Sequence, residues 1–206
     1  MQRILIATHN KAKLKELAAF SQKLIEKGYE IVSLDDLHID TEPEEIGTTF
    51  KENALLKAQF YAILSKLPTI ADDGGIVIDA LNGEPGVKSR RWPGYEASDE
   101  ELIALTLSKL NKVSPEKRTA AISLCLCFYD PRTKKTLFSE ATVKGIIADK
   151  PSAKAWPGFP YRSLFIVSAA HKYYDELTPE EHTQYNHRRK AMADLVDMLY
   201  PSTFKS

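Results

Sequence analysis

The chain of 206 residues has two cysteines, no net charge, no long apolar run and no glycine-rich phosphate loop. Each shortage excludes something. Cys125 and Cys127 lie two positions apart in a strand-like stretch, which puts them on one face without the approach that a disulfide needs. They are expected to be reduced core thiols, and with no second ligand pair they are not expected to hold a metal. Twenty-eight lysines and arginines balance twenty-eight acids, so the basic surplus of a duplex nucleic-acid binder is missing. The longest apolar stretch, Ala120 to Phe128 with Ser123 inside it, falls far short of the roughly 20 residues that span a bilayer. The opening Met1 to Asn10 holds no apolar run of secretory length, so a cytoplasmic location with no membrane partner is expected.

What is present suits a soluble α/β protein. Hydrophobic residues make up 43% and charged residues 27%, too apolar for a disordered chain. A chain of this length buries roughly 70% of its unfolded surface, enough for a core without staples. One domain, residues 1–206, with two lobes is expected.

Arg3 to Ala7 reads as a buried strand, and the apolar spacing from Leu14 to Ile25 predicts one helix ending at Gly28. Glu30 to Leu34 suggests a second strand, and Asp35 to Gly47 an exposed acidic loop. A helix over Thr49 to Lys66 places Asn53 and Lys57 four residues apart, beside an apolar face of Phe50, Ala54, Ala58, Tyr61 and Ala62. Strands are predicted at Thr69 to Ala71 and Ile76 to Leu81, flanking Asp72-Asp73-Gly74-Gly75 as a turn. Ser98 to Glu101 and Thr178 to Glu181 are capping boxes that open helices. Arg118 to Tyr129 and Thr136 to Ile147 predict a long hairpin, Leu164 to Val167 a short strand, and Asn186 to Leu199 a last helix.

Three groups of residues suggest chemistry. Thr8 to Lys13 lies where a strand gives way to a helix, a place where backbone N–H groups, the helix dipole and Lys13 can hold an anion; Asn10 as a plain helix cap is the alternative. Asp72 and Asp73 follow an apolar strand, where α/β proteins place ligands, and oxygen donors suit Mg²⁺. A tight turn remains the alternative. Glu42, Glu44 and Glu45 are candidate further ligands.

The series Thr8-x-Asn10-x-x-Lys13, Glu45-x-Gly47-x-Thr49-Phe50-x-Glu52-Asn53-Ala54-x-x-Lys57-Ala58, Ala71-Asp72-Asp73-x-Gly75, Asp79 to Arg91 and Asn186-His187-Arg188 closely resembles the inosine triphosphate pyrophosphatase family. Order and spacing match over nearly the whole chain. The resemblance implies hydrolysis of abnormal purine nucleoside triphosphates, such as those of inosine and xanthosine, to the monophosphate and pyrophosphate. It further implies an elongated two-lobed α/β fold with a central mixed β-sheet flanked by helices and a nucleotide cleft between the lobes. A homodimer and dependence on Mg²⁺ come with it, and the turn-rich Leu81 to Trp92 segment, with Val87 and Trp92, is where a partner might be sought.

By the same resemblance, Thr8, Asn10, Lys13 and Lys57 contact phosphates, Glu45 and Asp73 serve the magnesium site, and Asp73 accepts the proton of water with Asp72 in support. Lys13 is counted with the catalytic residues. His187 and Arg188 match a His-Arg pair that reaches base and phosphates. Gly74 stands where the family has serine, and Gly158-Phe159-Pro160-Tyr161-Arg162-Ser163 where it has Gly-Phe-Gly-Tyr-Asp-Pro. His182 stands for a lysine and Asn186 for a serine. Gly74, Phe159, Tyr161, Arg162 and His182 therefore belong to the expected substrate half of the site, with the base preference open. Arg162 donating to O6 of a keto purine, or pairing with an acid, are both compatible with the sequence. A pyrophosphatase for pyrimidine or modified-base triphosphates, and a nucleotide-binding protein without turnover, remain alternatives.

Overall fold

The computed structural model describes residues 2–154 and 156–201. In chain order the elements are β1 (Gln2–Ala7), α1 (Lys11–Ala19), α2 (Gln22–Glu26), β2 (Tyr29–Ser33), α3 (Phe50–Ser65), β3 (Thr69–Ile78) and α4 (Asp99–Lys109), followed by β4 (Thr119–Tyr129), β5 (Thr136–Ile147), β6 (Phe165–Val167), β7 (Lys172–Tyr173), α5 (Pro179–Tyr185) and α6 (His187–Leu199). The strands form one seven-stranded sheet in the order β2-β1-β3-β4-β5-β6-β7. β1 runs parallel to β2 and β3, whereas β6 is antiparallel to β5 and β7, so the sheet is mixed and the class α/β.

Two compact units divide the chain. The first takes residues up to Asp73, Leu124–Ala141 and the chain from Arg188; the second takes Gly74–Ser123 and Thr142–His187. In the first unit, the period of two along each strand sorts side chains to opposite faces. Ile4 and Ile6 of β1, with Leu124 and Leu126 of β4, pack with Leu17 of α1 and Ala191 and Leu195 of α6. Leu5 and Ala7, with Cys125 and Cys127, pack instead with Ala54, Ala58 and Tyr61 of α3. The two cysteines are thus free, buried and on one face, and burial pushes each thiol up to about 12. In the second unit, Ile76 and Ile78 of β3 pack with Leu102 of α4, Phe165 and Val167 of β6, Tyr161 and Tyr174. Trp92 packs against this same core, which already accounts for much of its apolar surface.

The structure departs from the expected elements at particular places. The helix predicted to run from Leu14 to Gly28 is broken into α1 and α2, with Ser21 buried at the break and its hydroxyl donating to the Leu17 carbonyl at 2.7 Å. That bond gives the backbone a partner outside the regular ladder. Asp72-Asp73-Gly74-Gly75 is not a turn but the middle of the ten-residue strand β3. Local propensity is overridden here because both carboxylates find cations and Gly75 accepts a neighbour that no side chain would allow. A Cβ at Gly75 would collide with Ser89 Oγ, the atom that accepts the Ile76 N–H at 3.1 Å. The two-residue β7 and the buried 3₁₀ turn Tyr174–Glu176 went unread, since neither is long enough to carry a period.

Candidate active site

β1 has β2 on one side and β3 on the other, so the chain leaves β1 one way and returns past it. The carboxyl end of β1, which lies beside the middle of β3 through the pair Ala7 and Ala71, is therefore a switch point, where open α/β sheets take ligands. Beyond β1, Asn10 caps α1: its Oδ1 accepts the Ala12 and Lys13 N–H groups at 2.9 and 3.1 Å. Thr8 Oγ1 accepts the Asn10 N–H at 3.3 Å. The cap uses the Asn10 side-chain oxygen, and it is the cap alternative that these bonds describe.

In the middle of β3, just past the last pair with β1 (Ala7 with Ala71), the strand period separates the two acids. Asp72 continues the face of Ile70, which packs with α1 and α6, and Asp73 continues the face of Ala71, which packs with α3. Asp72 accordingly meets Lys13 Nζ at 3.1 Å and Arg188 Nη2 at 3.2 Å. Arg188 also holds Glu16 at 2.7 Å. Asp73 meets Lys57 of α3, whose Nζ lies 2.8 Å from Asp73 Oδ1 and 2.8 Å from Glu45 Oε1.

These surroundings drive the neighbouring carboxyls apart. Burial alone would raise both. For Asp72 the Lys13 ammonium and the Arg188 guanidinium win, and its carboxyl is held well below the usual carboxylate range. For Asp73 burial wins over Lys57 and Lys13, and its carboxyl is raised. Lys57, though buried, is held firmly protonated by Asp73, Asp72 and Glu45. The two neighbouring carboxyls are thus pushed in opposite directions, Asp72 by its two cations and Asp73 by burial.

Two participants escaped the sequence analysis. Asn53 was placed beside the α3 apolar face without a role. It is buried, its Oδ1 accepts the Gly47 N–H at 2.8 Å, and its Nδ2 donates to Asp73 Oδ2 at 3.4 Å. The approach is close enough that a Cβ at Gly47 would sit 2.5 Å from Asn53 Oδ1, which is why that position is glycine. The signal was available, because Asn53 and Lys57 share one side of a helix at i and i+4. Glu16, the second carboxylate on Arg188, belongs to no sequence motif.

The second unit gathers the rest around Tyr174, which is fully buried. Its hydroxyl is 3.2 Å from His187 Nδ1, and the His182 ring meets its edge with centroids 5.4 Å apart. The Arg162 guanidinium carbon lies 4.7 Å from the Tyr174 ring centre and 3.6 Å from that of Phe159. Arg162 is therefore not a solvent-facing arginine. Tyr161 is buried in the core with its hydroxyl donating to the Ser89 carbonyl at 2.5 Å, so its side chain holds the turn around Arg162. Gly74 opens the second unit within β3. The sequential pair His187 and Arg188 divides, His187 with Tyr174 and Arg188 with Asp72.

The first unit fits a divalent cation of the magnesium type. Glu45 and Asp73 converge within 2.8 Å of a single positive charge, and the buried Asp72 Oδ1 next to them lacks a hydrogen-bond partner among the described residues. No group of three or more His, Cys, Asp or Glu side chains is placed for a metal among the described residues. A magnesium ion takes one or two carboxylates and completes its shell with substrate oxygens and water.

Residues 4–198 match the Ham1 family. A dITP/XTP pyrophosphatase of Geobacter sulfurreducens is 42% identical over 97% of each chain, and one of Bacillus subtilis is 38% identical over 97% of this chain and 98% of its own. Among solved structures, a Ham1 protein of Coxiella burnetii aligns with a TM-score of 0.84 at 31% identity, over 97% of this chain and 98% of that one. The Ham1 protein of Staphylococcus aureus aligns with a TM-score of 0.81 at 34% identity, over 96% and 98%.

Proposed function

Because the chain belongs to the Ham1 family, we propose that it is a hydrolase of abnormal purine nucleoside triphosphates, of the inosine and xanthosine type, releasing the monophosphate and pyrophosphate. The observation that carries the chemistry is the convergence of Glu45 and Asp73 on Lys57 beside the middle of β3. Glu45 and Asp73 would hold Mg²⁺, which supplies charge neutralisation on the phosphates when bound. Asp73 takes the proton of the attacking water, a task that suits a carboxyl raised above its ordinary value. Lys57 keeps Asp73 oriented through its 2.8 Å contact and, with Lys13, neutralises the triphosphate, to which Thr8 and Asn10 add hydrogen bonds. Lys13 is suited to this because 20% of its side chain is exposed while Asp72 is buried, so it can turn to an incoming anion while Arg188 keeps Asp72 paired. The cluster of Phe159, Arg162, Tyr174, His182 and His187 reads the base.

The test is a panel of inosine, xanthosine, guanosine, adenosine and pyrimidine triphosphates, with Mg²⁺ and with a chelator, detecting monophosphate and pyrophosphate separately. Turnover of the inosine and xanthosine substrates above the rest, abolished by chelation, is the expected result. Preference for a pyrimidine triphosphate would replace the substrate class, and absence of turnover on every member would reject the enzyme reading.

A homodimer in the cytoplasm completes the proposal, supported by the family resemblance and by the two buried thiols. No helix among the described residues is long and apolar enough to cross a membrane. Sedimentation at assay concentrations is expected to give twice the chain mass, and a monomer that does not change on dilution would reject the dimer.

A further inference from the structure

Arg162 and Asp175 are two opposite charges buried in the second unit, each 3% exposed. Arg162 comes from the 3₁₀ turn Pro160–Leu164 and Asp175 from the turn Tyr174–Glu176, and these turns pack on one another. Arginine does not shed its charge in a protein, so burying it requires anions and rings about it. Phe159 and Tyr174 supply the rings, and Asp175 is the carboxylate that its charge acts on. Yet Asp175 Oδ2 has no hydrogen-bond partner among the described residues. A buried acceptor without a donor costs about 1–3 kcal/mol and calls for an explanation beyond packing.

We propose that Asp175 is a specificity-determining residue, its Oδ2 accepting the N1–H of a keto purine while Arg162 donates to O6. The proposal rests on the reading of this chain as a purine triphosphate hydrolase whose base is read by the second unit. The sequence itself makes the exchange necessary, because the loop position that holds an acid in the resembling family holds Arg162 here. The acid lost from one turn has a counterpart on the other. A donor beside an acceptor matches the edge of hypoxanthine, with O6 accepting and N1–H donating. Adenine presents the reverse at both positions, a 6-amino donor and a bare N1, so it sets donor against donor at Arg162 and leaves the Asp175 oxygen unmatched. Phe159 is only partly buried and covers one face of Arg162.

Asp175 also gives the discrimination a pH dependence. Burial, with Glu176 adding and Arg162 opposing, raises its carboxyl to about 7. Below that value it is protonated and can donate to adenine N1; above it only a donor such as N1–H is accepted. The charged and titratable groups about it are Arg162 on the facing turn, Tyr174 and Glu176 on its own, and His182 and His187 beyond the Tyr174 ring.

The experiment compares kcat/KM for inosine, guanosine and adenosine triphosphates in the wild type, Arg162→Ala, Asp175→Asn and Asp175→Ala, with folding checked by circular dichroism. Asp175→Ala is expected to lower the inosine to adenosine ratio by about 5- to 200-fold, the discrimination of a good base contact. Guanosine turnover should fall in step with inosine, because guanine shares O6 and N1–H. The wild-type inosine to adenosine ratio should rise with pH through about 7. Both Asp175 variants should flatten that rise, which separates Asp175 from the two histidines. If alanine at 175 prevents folding, Asp175→Asn, which keeps the shape and removes the charge, carries the test through the pH profile. A ratio and profile unchanged in folded Asp175 variants, with Arg162→Ala still altering the ratio, would overturn the Asp175 role while leaving base reading by the second unit. No change in any variant would overturn both, and loss of the hydrolase reading would show separately as the absence of turnover in the wild type.

Discussion

Asp73→Asn is expected to retain the fold and nucleotide binding while kcat for inosine triphosphate falls by roughly 100-fold or more, the usual contribution of a positioned general base. The amide keeps the shape of the carboxylate but cannot accept the water's proton, and it binds a cation poorly. Because Asp73 Oδ1 receives Lys57 and Oδ2 receives Asn53, the amide also turns one NH₂ toward an existing donor. That mismatch costs about 1–3 kcal/mol, so thermal unfolding belongs beside the kinetics. A KM close to the wild-type value with kcat lost would place the effect in the chemical step rather than in binding. A folded variant with near-normal turnover would remove Asp73 from the role of proton acceptor and leave Glu45 as the carboxylate to examine.

The sequence made the first unit legible to different depths. β1 and α3 follow from apolar periodicity, and in the second unit the capped starts of α4 and α5 follow from Ser or Thr followed three residues later by Glu, signals contained within a few residues. The middle of β3 was misread because Asp-Asp-Gly-Gly has turn chemistry. What makes it a strand is long-range: Lys57 and Asn53 from α3 on one face, Lys13 and Arg188 from α1 and α6 on the other. The same separation explains why the acid pair could be named but not apportioned. Alternation puts consecutive strand residues on opposite faces, yet which face holds which cations is a tertiary fact.

In the second unit, Arg162 drew attention as a departure, and its partner did not. Asp175 sits in a three-residue turn with no periodicity, preceded by a two-residue strand, so nothing local marks it as buried. Tyr174 carries no local signal for the same reason, although Arg162, His182 and His187 are all tied to it by direct or ring contacts. Composition and spacing identify residues that act through a motif; they are blind to a side chain whose role is to be touched by several motifs at once.

Asp72→Asn should produce the largest loss of stability in the first unit. Removing one partner from a buried ion pair usually costs about 3–5 kcal/mol, because the opposite charge is left uncompensated. Here the cost should lie near the lower bound, since Arg188 keeps Glu16 at 2.7 Å and Lys13 has 20% of its side chain exposed. Urea unfolding at neutral pH measures it as a lowered midpoint at unchanged slope. The pH dependence has a definite sign. The Asp72 carboxyl is depressed in the folded protein, so its stabilisation is fully present above the unfolded value of about 3.9 and is lost as pH falls through the folded value. The gap between wild type and Asp72→Asn should therefore stay constant from neutral pH down to about 4 and close only below that. A gap that closes between pH of about 7 and 5 would point to a group such as His187 rather than Asp72. No gap at neutral pH would mean that Lys13 and Arg188 lose nothing with the charge, and that the acid before Asp73 is there for the substrate alone.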